Sequence, residues 1–200
     1  MFILQRAKHK LIVALYVDDG LVAYENEDDF AKLVADMKSD FQITVSPASC
    51  FLGLQIMRKL DGSVLVTQES YTKKILEKFN MLECNKVDTP MDKLCDSEEK
   101  GSSIRATNVP YREAIGSLMY LATGTRPDIM FAVSYLSQAL NQPTKRDWDK
   151  VKRIGTSEQG LLFDAKGKKG KLIAYSDADF AGHVMSRRST SGMVCIHMNG

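Results

Sequence analysis

The sequence LIVALYVDDGLVAY, residues 11–24, contains two apolar runs separated by two aspartates and a glycine. An Asp-Gly step between apolar, β-rich runs predicts a tight β-hairpin, since glycine accepts positive φ without steric penalty. We therefore expect two antiparallel strands here, with Asp18 and Asp19 at the tip of the hairpin. The rest of the fold is predicted to be built around this hairpin.

The segments on either side predict a small sheet that is covered by a helix. Upstream, the apolar run Phe2–Gln5 is separated from residues 11–16 by a polar stretch, which indicates a further hairpin. Downstream, Asn26 is a candidate N-cap of an amphipathic helix that packs on the sheet. The apolar stripe of this helix consists of Phe30, Leu33, Val34, Met37 and Phe41.

A second hairpin and helix repeat this order. Phe51–Met57 and Val64–Thr67 are predicted strands, joined through a turn at Asp61-Gly62. Ser70 is the predicted cap of the following helix. The apolar face of that helix carries Tyr71, Ile75 and Phe79. The order strand, strand, helix, strand, strand, helix indicates an α+β fold.

The remaining sequence predicts a connector, a helical segment and further strands. Residues 83–110 are polar and contain several Gly, Ser and Pro residues, which is typical of an extended connector. Thr144 and Asp147 have the spacing of a capping pair at a helix start. The predicted elements are helices over Tyr111–Ala122, from Asp128 through Leu140 and from Thr144 through Val151, and strands over Leu172–Tyr175 and Gly192–His197.

The composition is that of a globular protein with an asymmetric charge distribution. The 200 residues are 44% hydrophobic and 26% charged, which allows a sizeable core in one or two domains. Residues 141–200 hold eleven of the 27 Lys and Arg but only six of the 25 Asp and Glu. This basic surplus fits contact with a nucleic acid, although a solvated surface explains it equally well. The candidate phosphate contacts are Lys168, Lys169, Arg187 and Arg188.

Cysteine usage and hydropathy indicate an intracellular protein. The four cysteines form no CxxC pair and lie at no metal-ligand spacing from a histidine. The apolar residues 11–17 are too few for a signal peptide and run directly into Asp18, and no stretch is long enough to span a bilayer. We therefore expect reduced thiols, a location in the cytoplasm or nucleus, and no membrane partner.

The adjacent carboxylates Asp18 and Asp19 are the strongest candidates for chemistry. Two carboxylates at a hairpin tip place hard oxygen ligands in one small volume, an arrangement that Mg²⁺ favours. Nucleotidyl transfer commonly uses two metal ions about 3.5–4 Å apart, and such a pair needs further carboxylates from elsewhere. By spacing alone, two aspartates before a glycine are more often turn residues than metal ligands. Both interpretations remain open at this point.

Four motifs, in family order, resemble the reverse transcriptase and RNase H region of copia-type (Ty1/copia) retrotransposon Pol polyproteins. The polymerase signature is matched by Tyr16-Val17-Asp18-Asp19, and the primer-gripping hairpin resembles Phe51–Ile56 with Val66–Gln68. The connection segment resembles Tyr111–Leu121 with Thr125–Ile129. The opening of the RNase H domain resembles Tyr175–Gly182 with Arg187–Gly192. Together these motifs cover nearly the whole chain.

The resemblance implies a division of the chain into four segments. Residues 1–82 would form a partial reverse-transcriptase palm of β-hairpins and helices with a thumb-like segment, and residues 83–110 a linker. Residues 111–160 would be a helical connection segment, and residues 161–200 the first strands of an RNase H-like domain. The implied partners are an RNA/DNA hybrid or primer–template and the rest of the Pol polyprotein.

The resemblance also assigns roles to individual residues. The catalytic metal ligands would be Asp18, Asp19 and Asp177, with Mg²⁺ or Mn²⁺ as the metal of the intact enzyme. Tyr16 and Val17 would lie near the primer end. Gly53 would contact the primer backbone, whereas most apolar residues around it are expected to pack in the core.

The resemblance implies that residues 1–200 lack part of each catalytic site. The family draws another polymerase aspartate from upstream of the hairpin and further RNase H carboxylates from positions beyond Gly200. We therefore expect a chain that is catalytically incomplete by itself, and leave open whether it binds metal alone. The alternative is a non-catalytic remnant of a transposon that binds nucleic acid or another protein.

Overall fold

The computed structural model describes residues 1–5, 9–83, 91, 109–154, 160–163, 172–178, 189 and 191–197. Strands and helices are mixed along these ranges, in agreement with the predicted α+β class. The elements are β1 (Phe2–Gln5), β2 (Lys10–Tyr16), β3 (Asp19–Tyr24), α1 (Glu27–Asp40), β4 (Cys50–Phe51), β5 (Leu54–Arg58), β6 (Val64–Thr67), α2 (Glu69–Lys78), α3 (Tyr111–Gly124), a 3-10 turn (Pro127–Ile129), α4 (Met130–Ser137), α5 (Lys145–Ile154), β7 (Leu161–Phe163), β8 (Leu172–Ala178) and β9 (Ser191–His197).

The strands β1, β2 and β3 form an antiparallel sheet in that order, and α1 packs against one of its faces. Leu11 and Val13 of β2 are buried on this face. Together with Leu33 of α1 they line an apolar cavity of about 230 Å³ between the sheet and the helix. Tyr24 stacks on Phe30 of α1, with ring centroids 4.3 Å apart. The predicted hairpin and its covering helix are therefore confirmed.

The start of α1 is also as predicted. The Asn26 side-chain oxygen accepts a hydrogen bond from the backbone N–H of Asp29 at 3.1 Å, which satisfies one of the free donors at the helix start. The apolar stripe is only half-buried as far as Met37, and Phe41 beyond the helix end is exposed. Consequently α1 covers the sheet without burying any of its own residues fully.

A second antiparallel sheet has the strand order β4, β5, β6, β7. The prediction of one strand over Phe51–Met57 is wrong, because the chain folds back at Leu52-Gly53 and Phe51 pairs with Leu54. Both turn residues have positive φ, 51° and 79°, which is the signature of a type I′ turn. The strand β7, which pairs with β6, was not predicted from the sequence.

The predicted turn at Asp61-Gly62 joins β5 to β6. Gly62 has a φ of 86°, a conformation that glycine adopts without strain. The Asp61 carboxylate accepts hydrogen bonds from the hydroxyl and backbone N–H of Ser63, and these bonds lower the pKa of Asp61 below its ordinary value. The turn is thus fixed by its own side chains.

The helix α2 begins differently from the prediction. Ser70 is not its cap, because the helix begins at Glu69 and Gln68 occupies the N-cap position without a capping side-chain bond. The backbone N–H of Ser70 instead donates to the Gln55 side chain of β5 at 2.9 Å. The predicted apolar face is confirmed, since Ile75 is buried and Tyr71 and Phe79 pack beside it.

The helices α2 to α5 enclose a contiguous apolar core. Its fully buried members are Ile75, Tyr111, Ala114, Ile115, Leu118, Leu121, Ala122, Ile129, Ala132, Val133, Leu136, Val151 and Ile154. At the start of α5, the backbone N–H of Thr144 donates to the Asp147 carboxylate, and Thr144 Oγ1 accepts from the backbone N–H of Asp147. This reciprocal pair confirms the predicted capping motif.

The strands β8 and β9 form a separate two-stranded antiparallel sheet. Most of the predicted connector and the basic loop at 166–171 lie outside the described residues. Where helices are described, none combines the length and hydropathy needed to cross a bilayer. The segment boundaries at 82, 110 and 160 stay predictions.

Candidate functional site

The turn of the β2–β3 hairpin lies two residues earlier than the Asp-Gly step indicated. Val17 and Asp18 form the two-residue turn, Tyr16 pairs with Asp19, and Gly20 lies within β3 opposite Leu15. A Cβ on Gly20 would approach Leu15 Cδ2 to 3.2 Å, so the glycine makes room for a cross-strand leucine. The two aspartates nevertheless lie at the hairpin tip, as expected.

Val17 has an unusual backbone conformation for its residue type. Its φ is +55°, and a β-branched residue in this region is rare because its side chain crowds the backbone. The side chain is also 91% exposed, so no burial of apolar surface offsets the strain. Backbone strain of this kind tends to occur at functional sites.

The side chains of Tyr16 and Asp19 lie on the sheet face opposite to α1. Successive strand residues alternate between the two faces of a sheet, and Leu11 and Val13 face the helix. Tyr16 is therefore on the other face, and its partner Asp19 accompanies it. Both residues are exposed. The end of this face at the hairpin tip is therefore exposed.

The carboxylates of Asp18 and Asp19 are both exposed at the hairpin tip. No group of three or more acidic, His or Cys side chains is close enough to hold a metal ion within the described ranges. Mg²⁺ needs only one or two protein carboxylates when waters and substrate phosphates complete its octahedron. Asp18 and Asp19 supply oxygen donors of the type that Mg²⁺ prefers, whereas a two-metal site requires additional carboxylates.

Asp177 lies in β8 opposite Gly192 of β9. It is exposed, and its Oδ1 accepts a hydrogen bond from the backbone N–H of Ala178 at 2.9 Å. The predicted phosphate contacts Lys168, Lys169, Arg187 and Arg188 lie outside the described residues.

Gly53 occupies the second position of the β4–β5 turn, where its φ is +79°. A Cβ there would lie 3.1 Å from the Tyr120 hydroxyl oxygen of α3. The same hydroxyl donates a hydrogen bond to the Leu52 carbonyl oxygen at 3.1 Å. Gly53 thus has two structural reasons to be glycine, and neither requires a ligand. Sequence reasoning missed Tyr120, since no local pattern links positions 68 residues apart.

A second polar contact between the hairpin segment and α3 was also missed. The Thr125 hydroxyl donates to the Gln68 side-chain oxygen at 3.0 Å, and Gln68 is 1% exposed. Gly124 makes room for this amide, because a Cβ there would lie 2.3 Å from Gln68 Oε1. Next to it, the buried Arg126 guanidinium forms a two-bond ion pair with Asp128. The motif at 125–129 therefore has a structural role.

The sequence of the N-terminal part of the chain matches a known protein family. Residues 1–93 match the family model of reverse transcriptases, described as RNA-dependent DNA polymerases. The chain is 37% identical over 206 aligned positions to the retrovirus-related Pol polyprotein from transposon TNT 1-94 of Nicotiana tabacum, and 36% identical over 205 to that from transposon RE2 of Arabidopsis thaliana. The chain belongs to the family of Pol polyproteins of copia-type retrotransposons.

The matches differ in how much of each relative they cover. They include 95% and 97% of this chain but only 15% of the TNT 1-94 polyprotein and 14% of the RE2 polyprotein. An uncharacterized mitochondrial protein of Arabidopsis thaliana is 32% identical over 191 residues, which cover 91% of this chain and 77% of that protein. No solved structure gives a significant match.

Proposed function

We propose that this chain is part of an RNA-directed DNA polymerase and holds an RNA/DNA hybrid or primer–template against the open face of the β1–β3 sheet. The observation that carries the proposal is the hairpin tip, where Asp18 and Asp19 are exposed and Tyr16 lies beside Asp19 on the face opposite to α1. Membership in the Pol family supports a nucleic-acid substrate and supports the rest of the polyprotein as a partner.

The reaction would be attack of a primer 3′-hydroxyl on the α-phosphorus of a nucleoside triphosphate, with one P–O bond formed and pyrophosphate released. Asp18 and Asp19 would hold Mg²⁺ or Mn²⁺, which supplies charge stabilisation and an acidified hydroxyl. The exposed Tyr16 ring offers a flat surface on which the terminal base pair can stack. Val17 would lie beside the primer end.

We further propose that residues 1–200 bind the hybrid but do not sustain synthesis. Two carboxylates satisfy one octahedral ion together with waters and phosphates, but they do not fix two ions. The family resemblance implies that the polymerase site draws a further carboxylate from elsewhere in the sequence. It also implies that Asp177 is the first metal ligand of an RNase H-like segment, residues 161–200.

The test is to offer the purified chain a DNA primer annealed to an RNA template, with nucleotides and either Mg²⁺ or Mn²⁺. We expect the chain to retain the hybrid in a salt-sensitive and metal-dependent manner, without extension of the primer. Asp18→Asn should remove the metal-dependent part of the retention. The matched control is Asp36→Asn, which makes the same charge change at an exposed position of α1.

Each outcome distinguishes between the candidate functions. Primer extension that Asp18→Asn abolishes would support the polymerase assignment and overturn catalytic incompleteness. Retention that neither metal nor Asp18→Asn affects would favour the non-catalytic binding remnant. Absence of retention even at low salt would contradict the proposed function.

A further inference from the structure

We propose that Tyr120 is a positioning residue: its hydroxyl holds the Leu52–Gly53 turn of the β4–β5 hairpin at a fixed place on α3 and thereby sets how this turn meets the primer strand. The second half of this statement rests on the proposed function and on the resemblance of Phe51–Ile56 to the primer-gripping hairpin of the family. The first half concerns a contact within the chain and can be tested without any nucleic acid.

The Tyr120 side chain contacts two other parts of the chain, one through its hydroxyl and one through its ring. It donates to the Leu52 carbonyl oxygen at 3.1 Å. The Tyr120 ring also packs edge-on against the Tyr71 ring of α2, with centroids 4.8 Å apart and an interplanar angle of 73°. Aromatic pairs favour this T-shaped geometry, so the ring has a defined orientation and the hydroxyl a defined position.

The turn needs a partner of this kind. A central residue of a two-residue hairpin turn lies outside the strand ladder, so its carbonyl must bond to water or to another part of the protein. The Leu52 carbonyl has Tyr120 as this partner. The turn is therefore anchored through its backbone.

Gly53 and Tyr120 fit each other closely. A Cβ on Gly53 would lie 3.1 Å from the Tyr120 oxygen, closer than ordinary van der Waals contact. Any larger residue would therefore push the turn away from the hydroxyl, in addition to straining the positive φ. A side chain at position 53 would therefore require either the turn or the Tyr120 hydroxyl to shift.

Further contacts on the same face of α3 fix the rest of the hairpin and α2 unit. Residues four and seven apart share a helix face, so Gly124, Tyr120 and Glu113 lie along one line. Gly124 receives the Gln68 amide, and Glu113 forms an ion pair of 2.6 Å with Lys78 at the end of α2. The Tyr120 bond adds a separate attachment at the β4–β5 turn, beyond these contacts near α2.

The test compares two tyrosines that each donate a hydrogen bond to a backbone carbonyl. Tyr120→Phe removes the bond to Leu52 and keeps the ring, whereas the control Tyr111→Phe removes a bond of 2.8 Å to Leu136 within the helical core. Hydrogen exchange of amides 52–54 reports the turn, and fluorescence anisotropy of a labelled DNA primer on an RNA template reports binding.

We expect Tyr120→Phe to speed amide exchange in the turn roughly fivefold, which is the factor for one neutral hydrogen bond. Binding of the hybrid should weaken by a similar factor of about three to five. Tyr111→Phe should lower the melting temperature more but change neither turn exchange nor hybrid affinity measured well below melting. In the Tyr120→Phe background, Gly53→Ala should be less harmful than in the wild type, because the closest contact of the new methyl group is gone.

The outcomes separate this inference from the proposed function. Unchanged turn exchange in Tyr120→Phe would overturn the anchoring role. If exchange speeds up while the affinity for the hybrid stays the same, the turn does not meet the primer strand. If the wild-type chain binds no hybrid at all, the proposed function and the primer half of the inference both fail, and the exchange result alone decides the anchoring half.

Discussion

The β1–β3 sheet with α1 and the helical cluster of α2 to α5 differ in how they bury apolar surface. No residue of α1 is fully buried, and Phe2, Ile3 and Leu4 of β1 are exposed. In the helical cluster, by contrast, Val133, Leu136 and Ile129 are at most 1% exposed. The region that carries the candidate catalytic aspartates is thus held less firmly than the region that supports it, in accord with the general tendency of ligand-binding segments to have low local stability.

The largest expected effect is a direct comparison of one leucine from each region. Leu136→Ala in α4 removes a fully buried side chain and should reduce the free energy of unfolding by about 2–5 kcal/mol. Leu33→Ala in α1 removes a half-buried side chain and should reduce it by only about 1 kcal/mol. Urea unfolding followed by circular dichroism measures both values. Equal losses would show that the two regions are equally well packed.

A smaller effect is expected where the two halves of the chain meet at α3. Gly124→Ala places a methyl group 2.3 Å from the buried Gln68 amide and should reduce stability by about 1–3 kcal/mol. Gly116→Ala in the same helix is the control, since its Cβ meets nothing within 4 Å and should stabilise the helix by about 0.5–1 kcal/mol. Thermal melts of both variants test this prediction. Combining Gly124→Ala with Gln68→Ala should restore much of the lost stability. If the stability changes of the two single variants simply add in the double variant, the contact between Gly124 and Gln68 is contradicted.

The smallest effect is a difference in pH dependence between two tyrosines. Burial, together with the nearby Asp147 charge, raises the pKa of Tyr111, whereas hydrogen bonding to Glu27 is the main cause that raises the pKa of the exposed Tyr24. A raised folded-state pKa gives stability that is complete below the unfolded value, about 10, and is lost as the pH rises above it. Tyr111→Phe should cost about 1 kcal/mol at neutral pH through its lost hydrogen bond.

Alkaline unfolding curves measure this contrast. Between pH 9 and 12, stability of the wild type should decline, and Tyr111→Phe should flatten the decline. Tyr24→Phe should leave the curve nearly unchanged, because its phenol is exposed and can ionise with little penalty. A steeper decline in Tyr111→Phe than in the wild type would contradict the assignment.

The helices and the local turns could be predicted from sequence because their signals are local. The apolar stripe that begins at Phe30, the cap at Asn26 and the pair Thr144 and Asp147 each lie within one or two helical turns, and all three are confirmed. The Asp61-Gly62 turn is confirmed for the same reason. Such patterns depend on residues that are neighbours in both sequence and space.

The features that sequence could not predict depend on distant residues. Phe51–Met57 contains a continuous β pattern, and only the contact between Leu52 and Tyr120 explains why the chain turns at Gly53. The turn at Val17 was missed because strand register, and not the glycine, fixes its position. For the candidate site, the hairpin tip was predicted, whereas the catalytic roles of Asp18, Asp19 and Asp177 stay predictions.

The pairing of β6 with β7 has a consequence for the order of folding. Val66 pairs with Leu161, so the second sheet gains its fourth strand from a segment almost half the chain away. During synthesis on a ribosome, β6 remains an unpaired edge strand until the residues of α3 to α5 and β7 have been synthesised. Pairing of strands so far apart in sequence is slow, because a long loop must close. An unpaired strand edge can capture another nascent chain in the meantime. Expression yield should therefore respond more to chaperone supply and growth temperature than the final stability of the protein would suggest.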